Sequence, residues 1–311
     1  MTMSPKKKNE IRFAFFGTSH IAVFILDALK EAGLVPSLII TPPDKPKGRG
    51  LALQECAAKT WALSNKIEIL QPEKLDSEFS SRLLATGYKL DVAIVVDYGK
   101  ILPRTVLGIP KRGFLNVHPS LLPRLRGPSP IRSAILNDEK ETGVSILVVD
   151  EEMDHGPIVA QKRIIIPNWF NSPEHSGGDP PRLSELEEIL MQEGGRLLAQ
   201  ILPQWVRGGI GAHEQNHDIA TYSEKIEKED GLLDLSADTY KNLLKIRAYE
   251  GWPGTYAFFE RAGKKIRVAI LDAHIENNSL VIDRVKPEGK REMSYAEFQR
   301  SGARLYAYSR E

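Results

Sequence analysis

The chain has 311 residues, 41% of them hydrophobic and 27% charged, with a net charge of +1 and a single cysteine. That length allows two domains with separate cores, and the composition is that of a globular protein, not a disordered or fibrous one. No apolar run approaches the ~18 residues of a membrane helix, and near-neutrality means that any nucleic-acid contact must be local. The opening MTMSPKKKNE lacks the apolar centre of a signal peptide. Together with the lone Cys56, which has no cysteine or histidine nearby and reads as structural, it points to a reducing, cytoplasmic location away from membranes.

Taken in order, residues 11 to 16 (IRFAFF) read as a buried strand closed by Gly17-Thr18. Ile21, Phe24, Ile25, Ala28 and Leu29 recur at helical spacing, with Gly33 as the expected C′ residue. Residues 35 to 40 then complete a βαβ unit. Its turn carries FGTSH and not GxGxxG, which disfavours a nicotinamide enzyme. The next stretch, TPPDKPKGRG (41 to 50), has three prolines and two glycines. It is expected to be an irregular loop displaying Lys45, Lys47 and Arg49, either as an ordinary solvated loop or as one able to reach a phosphate backbone.

Residues 91 to 96 (DVAIVV) are the best candidate for the centre of a sheet. An apolar run ending in Phe114-Leu115 leads into Asn116-Val117-His118-Pro119. Residues two apart on a strand share a face, so an amide and an imidazole stand side by side at a strand's carboxyl end, where open α/β sheets bind ligands. Such a pair suits stabilisation of an oxyanion; the bland alternative is a polar strand end before a turn. A third strand, Val144 to Val149, runs into DEEMDHGP. Three strand ends are therefore expected to converge on one rim and to present Asn116, His118 and Asp154. Residues 167 to 182, rich in Pro, Gly and Ser, read as a surface excursion. A helical period from Leu183 to about Val206 is expected to break near Gly194-Gly195. Residues 207 to 217 read as a linker. Beyond it lie one amphipathic helix (Ser236 to Tyr249, capped by Ser236 or Asp238) and short strands at 256 to 259, 265 to 271 and 280 to 285.

Asn116-x-His118, SLLP at 120 to 123, Arg126-Gly127 and Asp154, 38 residues after the asparagine, resemble the formyltransferases that use 10-formyltetrahydrofolate. From residue 11 to about 302 the chain is most similar to the branch of that family acting on methionyl initiator tRNA. The similarity includes the basic loop, TYSEKI (221 to 226), RAYEGWPG (247 to 254) and the terminal GKREMSYAEFQRSG. The resemblance implies an α/β architecture: a Rossmann-like formyltransferase domain with a predominantly parallel sheet (11 to 206, after a basic tail 1 to 10), the linker, and a smaller β-rich, barrel-like (OB-like) domain (218 to 311) that binds tRNA. It implies Asn116, His118 and Asp154 as catalytic residues, with Asn116 and a protonated His118 donating to the oxyanion and Asp154 relaying the amine's proton. Formyl-donor contacts are implied at Ile101, Leu102, Ser120, Leu121, Leu122, Pro123 and Asp150. Arg49, with Lys45 and Lys47, is implied to touch the tRNA acceptor stem, and Lys264, Lys265, Arg267, Lys286, Lys290 and Arg291 to supply a second basic surface. No metal and no covalent intermediate are expected, and the chain is expected to be a monomer. The nearest alternative is a formyltransferase acting on a nucleotide-linked amino sugar, which has no need of the basic loop. Asp97 departs from the family, which carries a small residue there.

Overall fold

The computed structural model describes residues 11–47, 52–85, 87–166 and 179–306. They form two compact units, the first drawn from Met1–Arg126, Gly143–Arg163 and Glu188–Thr221, the second from Gly127–Thr142, Ile164–Glu187 and Tyr222–Glu311.

In the first unit the expected βαβ start is β1 (Phe13–Gly17), α1 (His20–Glu31) and β2 (Leu38–Ile40). Every residue of β1 and β2 is buried, as strands covered on both faces require. Gly33, at φ +75°, ends α1 as predicted. Its amide donates to the Lys30 carbonyl while the Leu34 amide donates to that of Leu29, and this paired closure needs the left-handed backbone that glycine adopts without strain.

The basic loop corrects the expectation of irregular structure. Two short strands, β3 (Lys45–Lys47) and β4 (Ala52–Gln54), pair antiparallel, with Pro46 opposite Leu53. Proline is tolerated because each strand of a two-stranded ribbon is an edge, where a missing N–H need not face a partner.

The chain continues through α2 (Ala57–Ser64), β5 (Glu68–Leu70), α3 (Ser77–Ala85), β6 (Val92–Val96), α4 (Arg104–Leu107), β7 (Phe114–His118), α5 (Pro130–Leu136), β8 (Glu141–Val148), β9 (Ile158–Ile165) and α6 (Leu183–Arg207). The seven-stranded sheet has the order β5-β2-β1-β6-β7-β8-β9, so β6 is central as its β-branched run predicts. Pairs from β5 to β7 are parallel, whereas β8 runs antiparallel to β7 with His118 opposite Ser145 and Leu115 opposite Val148. The expectation that three carboxyl ends share one rim is therefore wrong for β8, whose end lies beside the start of β7. The composition of a buried strand carries no mark of its direction.

Phe16 anchors one face of the sheet, meeting Tyr98 and Phe114 edge-on at 5.3 and 5.1 Å between centroids. On α6 the predicted break is absent: the helix runs without interruption through Gly194-Gly195. A Cβ at Gly194 would stand 2.8 Å from Val117 and 3.0 Å from Val144, and one at Gly195 2.5 Å from the Ala28 Cβ. These glycines are there for close approach to β7, β8 and α1, and tertiary packing outweighs their ~1 kcal/mol helix penalty.

The second unit holds α5, α7 (Thr239–Ala248) and a five-stranded antiparallel sheet in the order β13-β12-β11-β10-β14. The strands are β10 (Thr255–Arg261), β11 (Lys264–Glu276), β12 (Ser279–Pro287), β13 (Met293–Ser294) and β14 (Arg304–Leu305), with α8 (Tyr295–Gln299) before the last. Asp238 caps α7 by accepting from the Lys241 amide at 3.0 Å. Ala257, Phe259, Val268, Ile270, Val285 and Phe298 form its core, so the opposite face of the sheet is left to Tyr256, Phe258, Lys265, Arg267 and Lys286 by strand alternation.

Candidate active site

Strand β7 places Asn116 and His118 on one face, and Asp154 meets both. The Asn116 Nδ2 donates to Asp154 Oδ1 at 3.2 Å, and His118 Nδ1 lies 3.5 Å from Asp154 Oδ2. His118 is only 4% exposed. Its Nε2 is 2.9 Å from the Leu125 carbonyl, and a carbonyl can only accept, so Nε2 carries a proton. The ring is thus held by the loop through one nitrogen, leaving Nδ1 toward the carboxylate at a distance longer than a normal hydrogen bond. An amide donor and an imidazole nitrogen from one strand converge here with a carboxylate from a distant segment.

Asp154 arrives by a fold-back of the chain after β8 and not by a strand end. Within that segment Asp150 accepts from the Glu152 amide at 3.0 Å and pairs with His155 Nδ1 at 2.8 Å. Asp154 itself has φ +51°, a left-handed conformation that aspartate tolerates better than most residues. Gly156 passes so close to β8 that a Cβ would stand 1.9 Å from the Val148 carbonyl oxygen. Gln215 fastens the segment from outside: its Nε2 donates to the carbonyls of Asp154 and Gly156, each at 2.8 Å. Gln215 Oε1 accepts from Arg126 Nε and Nη2 at 3.1 and 2.7 Å. Arg126 Nη2 also meets His217 Nδ1 at 2.8 Å, and the His217 ring stacks on His155 at 4.1 Å.

The SLLP turn is held by one buried hydroxyl. Ser145 Oγ accepts from the Leu122 amide at 3.0 Å and from Gln161 Nε2 at 2.8 Å, and donates to the Ser120 carbonyl at 2.6 Å. Ser120 is 1% exposed and donates to the Arg124 carbonyl. Leu122 packs with Leu147 and Ile158, while Leu121 and Pro123 are half-buried. A Cβ at Gly143 would lie 2.5 Å from the Leu121 side chain, so glycine makes room for it. Thr221 closes the turn's far end, its Oγ1 accepting from the Leu125 amide and its carbonyl from the Arg126 amide, both at 2.9 Å.

Beyond β6, Asp97 has φ +45° and Gly99 φ +73°. The conformation at 97 suits glycine or aspartate, which accounts for this departure from the family pattern. Lys100 ties the loop down by donating to the Pro72 and Glu73 carbonyls at 3.0 and 2.7 Å. Leu102 belongs to the core, whereas Ile101 is 88% exposed and Met153 64% exposed. Burial pushes the Tyr98 hydroxyl up to about 12, and among the described residues it has no hydrogen-bond partner.

The hairpin carrying Lys45 is fixed at its base. Asp44 pairs with Lys59 and accepts from Gln71 Nε2 at 2.9 Å, and these bonds hold its carboxyl below the ordinary range. Lys45 is exposed. Arg49 and the basic tail lie outside the described residues, as do the Lys47 side chain and most of the 167 to 182 excursion. In the second unit Lys265 lies over the rings of Phe258 and Tyr306 at 4.2 and 4.6 Å, and Arg267 over Tyr256 at 3.8 Å. Lys264 has the opposite strand parity, and Lys290 and Arg291 follow the end of β12.

Sequence reasoning missed Ser145, Gln161, Gln215 and Thr221. Each acts by a hydrogen bond to a residue far along the chain, and no local period reports that. Among the described residues, no group of three or more His, Cys, Asp and Glu side chains is arranged to hold a metal ion.

A family model described as formyl transferase matches residues 11–174. The chain is 34% identical over 316 residues to the methionyl-tRNA formyltransferase of Roseiflexus castenholzii, covering 95% of this chain and 97% of that one. The chain belongs to the methionyl-tRNA formyltransferase family. The family member from Chloroflexus aurantiacus is 38% identical over 258 residues, 83% of this chain and 79% of the relative. A solved methionyl-tRNA formyltransferase from Clostridium thermocellum has the same fold, with a TM-score of 0.56 at 15% identity over 89% of this chain and 98% of that one. So does the N-formyltransferase from Helicobacter canadensis, solved with folinic acid and dTDP-3-aminofucose, with a TM-score of 0.59 at 17% identity over 86% and 88%. At such identities these two structures speak for the fold alone. The Asn116–His118–Asp154 cluster thus stands within the 11–174 match to the formyl transferase model.

Proposed function

We propose that the chain transfers a formyl group from 10-formyltetrahydrofolate to the α-amine of methionyl initiator tRNA. The observation that carries the chemistry is the meeting of the Asp154 carboxylate with both Asn116 and His118. The choice of substrate rests on near full-length identity to relatives named for methionyl-tRNA.

The methionyl amine attacks the formyl carbon, and the carbonyl oxygen becomes an oxyanion. The Asn116 Nδ2 spends one N–H on Asp154 and can offer its second to that oxygen, while His118, two positions on along the same face, can donate an Nδ1–H when its ring is protonated on both nitrogens. Asp154 takes the amine's proton, directly or through water, and passes it to the folate nitrogen. The oxyanion then collapses, the bond from the formyl carbon to that nitrogen breaks, and the neutral folate amine leaves with Asp154 again a carboxylate. Direct transfer forms no bond to the protein, so no Ser or Cys nucleophile is required. Exposed Ile101 and Met153 suit the flat aromatic body of a folate, with the SLLP turn and Asp150 completing the donor site.

The tRNA is assigned to Lys45, Lys47 and Arg49 and to the 218 to 311 region. There the cations of Lys265, Arg267 and Lys286 share a face with aromatic rings, a pattern suited to RNA backbone and exposed bases. We assign a cytoplasmic monomer. No helix among the described residues is long and apolar enough to cross a membrane.

Formyl transfer to purified methionyl initiator tRNA, with amino-sugar nucleotides alongside, tests the reading. Product on tRNA that is lost in Arg49→Ala, with folate binding retained, supports it. Product on a sugar nucleotide alone would keep the chemistry and overturn the substrate.

A further inference from the structure

We infer that Gln215 is a positioning residue for the reaction, acting through Asp154 and held in register by Arg126; this inference rests on the catalytic role proposed for Asp154. Gln215 is 5% exposed and Arg126 2% exposed. Both ends of the Gln215 carboxamide are used: two N–H groups donate to the carbonyls of Asp154 and Gly156, and the oxygen accepts twice from the guanidinium. The orientation of the amide is fixed by chemistry. Turned over, it would set oxygen against two carbonyls and NH2 against a group that has only donors.

The two carbonyls that Gln215 grips are that of Asp154 itself and the one two residues on, so they fix the backbone on the C-terminal side of the residue whose carboxylate meets Asn116 and His118. Asp154 is left-handed and Gly156 is wedged against the Val148 carbonyl, so this backbone is not one the segment would choose alone. Gln215 supplies the compensating bonds and Arg126 prevents its rotation. A displacement of about 1 Å at such a site costs on the order of 10²-fold in rate.

Gln215→Glu isolates this function. It keeps the side chain's size and its pairing with Arg126, yet replaces the two donors with oxygen facing carbonyls. The expected result is a fall in kcat on the order of 10–10²-fold, little change in KM for tRNA, and an altered pH profile of kcat. A double-mutant cycle with Asp154→Asn decides between positioning and mere structural support. If Gln215 acts through Asp154, Gln215→Glu costs less than about threefold in the Asp154→Asn background. Equal cost in both backgrounds overturns the inference, as does kcat within twofold of wild type for Gln215→Glu. Should Gln215→Glu not fold, Gln215→Met enters the same cycle. Loss of activity in Asp154→Asn with no effect of either Gln215 variant sinks the inference alone; full activity in Asp154→Asn sinks the proposed mechanism instead.

Discussion

Ser145→Ala is the sharpest test of how the site is held. The residue is fully buried, and its hydroxyl serves the Leu122 amide, the Ser120 carbonyl and Gln161. Alanine is nearly isosteric, so no cavity forms and the cost is one of lost pairing. Gln161 Nε2 keeps its bond to the Leu122 carbonyl at 2.9 Å, which leaves two groups orphaned: the Leu122 N–H and the Ser120 C=O. At ~1–3 kcal/mol for each buried unsatisfied group the loss is about 2–6 kcal/mol. Urea denaturation of both proteins measures it as a lower midpoint at unchanged slope. The turn assigned to the formyl donor is loosened at the same time, so KM for the donor rises while KM for tRNA holds. A stability loss below about 0.5 kcal/mol would refute the reasoning, because the hydroxyl would not then be the turn's principal tie.

Asn116→Ala and His118→Ala should each lower turnover on the order of 10²-fold or more, as other lost oxyanion donors do; steady-state rates within a few-fold of wild type would remove them from the mechanism. Gly194→Ala sets a helix gain of ~1 kcal/mol against overpacking of ~1–3 kcal/mol on Val117 and Val144. Packing wins, so a net destabilisation of about 1 kcal/mol is expected in urea, and a stabilised variant would contradict the assigned close approach. The Asp283 hydrogen bond raises the pKa of His274 above its ordinary 6.5, with desolvation opposing. The protonated ring therefore favours the folded state: its contribution is complete below 6.5 and fades as pH rises through the folded value. His274→Gln should lower Tm more near pH 5.5 than near pH 8.5, and an equal drop at both would reject the pairing.

The helical and strand periods of the first unit were legible because each carries its signal locally: the apolar spacing of α1, the glycine that ends it, the β-branched run of β6. Asn116 and His118 were legible for the same reason, since a two-residue spacing fixes a shared face. Asp154 was expected beside them on a shared rim of strand ends; it does meet both, but by a fold-back after an antiparallel strand, a route that no local pattern in the sequence reports. The glycine pair in α6 misled because backbone freedom and close approach use the same residue. Pro46 misled because its cost depends on whether a strand has one neighbour or two. Gln215, in a polar stretch with no period, carried no sign at all of its partners.

The bonds from the 213 to 221 segment also set an order of assembly during synthesis. The Leu125 amide waits for Thr221, 96 residues later, and Arg126 waits for Gln215, 89 residues later. At ~5–20 residues per second, that leaves roughly 5–20 s in which β7 and its loop exist without their braces. A chain cut short before residue 215 would carry the whole Asn116-x-His118 motif and still lack the means to hold His118 and Asp154 to one geometry.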